Sequence, residues 1–107
     1  MISELYQKVT QYFKEKRIKS NFYQNCADAG LTPWTPNPDA KSQYPLGVTL
    51  NWYPGMPSAK KVIEKEAKLV LSVAKTVAEK FGLEAKVTEP TFSAGGCLAM
   101  YVGFSNN

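Results

Sequence analysis

Ser58 stands at the start of a predicted helix with Lys61 three residues later, the arrangement found in serine-lysine acyl transferases. A helix dipole and a neighbouring amine can activate such a hydroxyl. The same serine is where a helix N-cap is required, however, and Lys61 falls on the solvated strip of that helix. With the further motifs of those enzymes missing, the cap is the stronger reading. Cys97, just after Gly95-Gly96, and Cys26, close to Asp28, are candidate nucleophiles, but a thiolate needs a base or a cationic neighbourhood and the chain contains no histidine. That zero also removes the usual general base, proton shuttle and commonest transition-metal ligand. Two cysteines 71 positions apart are too few for a secreted disulfide scaffold, so both are expected as reduced, buried thiols.

Glu66 lies inside the apolar arc of the same predicted helix, where a structural hydrogen-bonding partner is expected rather than acid-base work. No second carboxylate stands at a spacing that defines a metal site or a glycosidase pair. Gly95-Gly96 and Pro54-Gly55-Met56-Pro57-Ser58 offer free backbone amides, yet match no phosphate-binding fingerprint and read first as turns. The expectation is therefore a protein with no catalytic residue, no cofactor and no metal.

Aromatic residues are the more suggestive feature. In a strand from Leu46 to Tyr53 the residues Leu46, Val48, Leu50 and Trp52 alternate with Gly47, Thr49, Asn51 and Tyr53, which gives one strongly apolar face. Tyr53, Asn51, Tyr101 and Lys86 fall on the opposite sheet face, and Trp34 sits in a proline-rich stretch. If the helices cover the apolar face, the other is open, and Trp34, Tyr53, Tyr101, Asn51 and Lys86 are the expected partner-binding residues.

Charge bears on what that partner is. Thirteen Lys and Arg against nine Asp and Glu leave +4 at pH 7. The first twenty residues carry five cations against two acids. Nucleic acid is an alternative partner, held by Lys14, Lys16, Arg17 and Lys19 with bases stacked on the sheet tyrosines. Arg17 is the single arginine, though, and arginine is the side chain best suited to bidentate phosphate and guanine contacts. A charge-complementary protein is favoured for that reason.

The elements that position these residues follow from periodicity. The 107-residue chain is the length of one domain, spanning 1–107, and its composition is that of a globular protein. Ile2, Leu5, Tyr6, Val9, Tyr12 and Phe13 recur at helical steps over residues 3–19. A second short helix over 21–29, capped by Ser20 and ended by Gly30, is the alternative to an extended segment. Residues 31–45 hold four prolines and read as an irregular loop. A long helix over 59–81, ended by Gly82, carries an apolar arc about 200° wide, enough for contact with a sheet on one side and the first helix on another. Leu83, Ala85 and Val87 mark a second strand, and Leu98, Met100, Val102 and Phe104 a third, with 105–107 a frayed tail.

The expected fold is α+β: a two-layer sandwich of order α-(α)-β-α-β-β, with a three-stranded, mainly antiparallel sheet and both helices on one face. No apolar run approaches a membrane span and no secretory leader is visible, so a cytoplasmic protein without membrane contact is expected. Its expected function is that of a small non-enzymatic binding or regulatory module, of inhibitor or adaptor type, using the open sheet face and the proline-rich loop. The alternatives are a nucleic-acid-binding protein and a small-ligand-binding protein. Monomer and homodimer are both compatible with the sequence.

Overall fold

A computed structural model describes residues 2–36, 43–51, 59–92 and 97–106. They form α1 (Ile2–Asp28), β1 (Thr32–Trp34), β2 (Leu46–Thr49), α2 (Ala59–Phe81), β3 (Leu83–Val87), β4 (Thr91–Phe92) and β5 (Leu98–Asn106). The strands make one antiparallel sheet in the order β1-β2-β5-β3, with β4 also paired to β5. The α+β class and the element order are as expected, while the sheet has five strands rather than three.

The two added strands are short. β1 lies inside the stretch expected to be irregular throughout, pairing Thr32 with Thr49 and Trp34 with Gly47. As the outermost strand it tolerates Pro33, which lacks the N–H an inner strand would need. β5 lies between β2 and β3, and its end is no frayed tail: Ser105 pairs with Glu84 and Asn106 with Leu83. β2 stops at Thr49, and Trp52, Tyr53 and the turn through Ser58 lie outside the described residues.

One sheet face carries Leu46, Val48, Leu50, Leu98, Met100 and Val102, all buried. α2 covers it with Val70, Val73, Ala74 and Val77 at three- and four-residue steps, and also packs beside α1. The apolar arc of α2 is narrower in use than its sequence promised, since Leu71 is half exposed.

α1 is one helix of 27 residues, roughly 40 Å long. Ser20 caps nothing. The polar residues that argued for a break are satisfied along the helix instead: Asn25 Nδ2 donates to Asn21 O at 2.8 Å, and Gln24 Nε2 donates to Asp28 Oδ1 at 3.0 Å. Its end is closed as the glycine predicts. Gly30 has φ 78°, Leu31 N donates to Cys26 O at 2.8 Å and Gly30 N to Ala27 O at 3.0 Å, the paired bonds of a Schellman motif.

Only the second half of α1 belongs to the core. Ile18, Phe22 and Cys26 are buried at four-residue spacing, and Phe22 meets Phe104 edge-on at 5.9 Å. The first half projects away, which draws the molecule out to 58 × 27 × 21 Å and gives a radius of gyration of 15.2 Å, against about 13 Å for a compact chain of this length.

Because the left-handed backbone at Gly30 is disfavoured for a residue with a Cβ, Gly30→Ala is expected to lower stability by about 1–2 kcal/mol in urea unfolding. The slope of the transition should be unchanged.

Candidate functional site

The sheet face away from the helices is not bare. Trp34 reaches across Gly47, where an added Cβ would stand 3.0 Å from the indole Cε2, and meets the Tyr101 ring edge-on at 6.0 Å. Further along β5, the backbone of Gln43 and Tyr44 lies so close over Gly103 that a Cβ there would collide with the Gln43 carbonyl. Gly47, Ala99 and Gly103 are buried, and Trp34 and Tyr101 half-buried. Glycine at these two points is what lets an indole and a peptide unit lie directly on the sheet. Trp34 and Tyr101 are thus brought together as the centre of a thin second layer made by the chain itself. Lys86 is exposed on β3 near this layer, and Tyr53 lies outside the described residues.

Asn51 faces elsewhere. Because β2 ends at Thr49, strand alternation no longer governs it, and its side chain turns to the helix layer. Its Nδ2 donates to Gly30 O at 3.0 Å and to Glu66 Oε1 at 3.1 Å, tying the end of α1 to α2. Glu66 therefore has the structural partner expected of it. Its Oε2 is buried with no hydrogen-bond partner among the described residues.

The cysteines part company. Cys26 is fully buried in α1, and burial pushes its thiol up to about 12. It stays protonated at neutral pH and is no nucleophile. Cys97 was expected to be buried and is exposed, because it precedes the first residue of β5 rather than sitting within the ladder. Both are free thiols. Lys61 is exposed, and Ser58, Gly95 and Gly96 lie outside the described residues.

The projecting half of α1 is the feature that sequence reasoning misplaced. Leu5, Tyr6, Val9, Tyr12 and Phe13, expected to face the core, are between 45% and 73% exposed. The reason is one of phase. At 100° per residue these five side chains centre roughly 140° around the helix from Ile18, Phe22 and Cys26, so the body cannot cover both sets. That phase shift is legible in the residue spacing alone and was the available signal. Lys16 lies over the Tyr12 ring at 5.3 Å and Lys19 over Tyr23 at 5.7 Å. Tyr23 in turn is fastened to Thr35 by a hydroxyl hydrogen bond of 2.6 Å.

Where α1 leaves the body there is an open cleft of about 400 Å³, lined by Ile18, Leu46, Leu83 and Phe104 and by Lys14, Lys16 and Lys19. It gathers three of the four cations proposed for the nucleic-acid alternative, and Arg17 is not among its lining residues. Among the described residues no cluster of three potential metal ligands occurs, and no helix is long and apolar enough to cross a membrane. No protein-family model, curated protein or solved structure matches the chain.

Three outcomes follow from these placements. Trp34→Ala should destabilise by about 3 kcal/mol and Gly103→Ala by about 1–3 kcal/mol in denaturant unfolding. Losses under about 0.5 kcal/mol in both would mean that the second layer contributes nothing to the fold. A thiol reagent at pH 8 should modify one cysteine, Cys97, in the folded protein and both after denaturation. Cys26 also sets a sign: with its folded value raised above 9.0, its contribution to stability is present below pH 9 and is lost as pH rises toward 12.

Proposed function

We propose that the protein is a small non-enzymatic binding module, of inhibitor or adaptor type, that engages a protein partner in the cytoplasm. The surface it uses is the free half of α1 rather than the sheet face. One observation carries this reading: five large apolar side chains, three of them aromatic, stand in solvent on one side of a helix whose other side is the one that enters the core. A helical segment without tertiary contacts is marginal in water, and an exposed apolar patch on it marks an interaction site. Tyrosine and phenylalanine are also residue types enriched where proteins meet. The sheet face is a poorer candidate, since Trp34 and Tyr101 are half-buried and meet each other edge-on.

Nucleic acid is the second reading, favoured by Lys14, Lys16 and Lys19 gathered at the cleft. It requires binding that falls steeply with added salt, and no shift of an oligonucleotide at 50 mM salt would remove it.

A photo-crosslinking residue placed at Val9 is expected to give a discrete heavier adduct in extracts of the source cells, and one placed at Lys75, on the solvated strip of α2, is not. Leu5→Ser with Phe13→Ser should abolish the adduct while moving stability by less than about 0.5 kcal/mol, because neither side chain is in the core. A yield at position 9 no higher than at position 75 would remove α1 as the docking surface.

A further inference from the structure

We infer that the occupant of the free α1 face is an acidic amphipathic helix of a partner protein, its apolar residues along Leu5, Val9 and Tyr12 and its carboxylates over Lys8, Lys16 and Lys19. This rests on the reading of α1 as a docking surface and adds the chemistry of what docks there.

The spacing comes first. Leu5, Val9 and Tyr12 are separated by four and three residues, and the same alternation continues to Lys16 and Lys19. This is the seam of a two-helix coiled coil, flanked by Tyr6 and Phe13, that is apolar for its outer turns and cationic where it nears the body. A helix laid along it meets carbon first and ammonium groups afterwards.

Charge supplies the second argument. On the helical wheel Lys8, Lys16 and Lys19 fall within about 70° of the centre of Leu5, Val9 and Tyr12, whereas Glu15, Glu4 and Arg17 lie farther round, at about 85° to 115°. Glu15 is moreover engaged by Gln11 Nε2 at 3.1 Å. The charges nearest the seam are therefore of one sign, and carboxylates complement them.

The same arrangement argues against two other occupants. A second copy of this chain laid parallel would set Lys16 against Lys16. Laid antiparallel about Val9, it would set Lys16 and Arg17 against the positive end of the partner helix's dipole. An anionic bilayer offers the right charge, but helices that lie in it present a broad face of Trp, Phe and Leu. This seam offers Leu5, Val9 and Tyr12, flanked by Tyr6 and Phe13, with no tryptophan and with Lys16 in line, a narrow stripe suited to a protein surface.

The experiment uses the full chain and two synthetic 21-residue helices with identical leucines at seam positions, one flanked by glutamates and the other by lysines. Fluorescence anisotropy at 50 mM salt should show the glutamate peptide binding at least about tenfold tighter, the difference that two or three exposed ion pairs supply. At 500 mM salt the difference should shrink to about threefold or less. The triple variant Lys8→Glu, Lys16→Glu, Lys19→Glu should invert the preference, while Lys68→Glu with Lys75→Glu on α2 should leave it unchanged. Inversion cannot arise from misfolding.

Equal affinity for the two peptides, lost together in Leu5→Ser with Phe13→Ser, would overturn the acidic partner and leave α1 as a docking surface. Binding of neither peptide would overturn the inference. So would sedimentation of the chain alone as a dimer that those serine variants dissolve, or binding to phosphatidylserine vesicles without binding to either peptide.

Discussion

Phe22 is the point about which this molecule is arranged. Its side chain is fully covered and meets Phe104 at the far end of the central strand, so a helix otherwise free to pivot is fixed against both layers at once. Burying such a ring is worth about 1.5–3 kcal/mol, and Ile18 and Cys26 add to it one helical turn on either side. The Schellman bonds at Gly30 and the Asn51 bridge to Gly30 and Glu66 then hold the end of α1 in place. Every property of the projecting half follows from this anchorage, because the direction of the free turns and the way their side chains face are settled where the helix is gripped.

Much of this was legible in the residues, and the parts that were not share a cause. α2, β3 and β5 repeat their periods long enough to be read, and Gly30 and Gly82 stop the helices where expected, each with positive φ. β1 and β4, at three and two residues, are too short for a period of two to register. Ser20, Asn21 and Asn25 are weak helix formers, and their local pattern suggested a break. Burial of Phe22 between them overrides that preference. The covering of Gly103 by Gln43 and Tyr44 joins positions sixty residues apart, which no local pattern reports. The exposure of Tyr12 and Phe13 is a different case, since the shift of apolar phase between residues 13 and 18 was visible and its meaning depended on knowing which half the body grips.

The two glycines opposite the helices change the meaning of the aromatic residues around them. Gly47 receives an indole and Gly103 a carbonyl, and the sheet is consequently sandwiched more completely than a two-layer fold implies. Trp34 and Tyr101 become packing residues, while the tyrosines and phenylalanine of α1, which resemble core residues in sequence, are the ones left in water. Position relative to Phe22, more than residue type, decides which aromatic groups are available for recognition.

The outermost strands deserve a last consequence. β1 is three residues long and Pro33 is its middle one, while β3 at the other border carries Glu84 and Lys86 outward. Neither border presents the unbroken, uncharged row of amides on which foreign backbone could stack, so growth into fibrils finds little template among the described residues. A molecule that keeps bare hydrocarbon in water on one rod has, at its sheet borders, the safeguards that such a habit makes necessary.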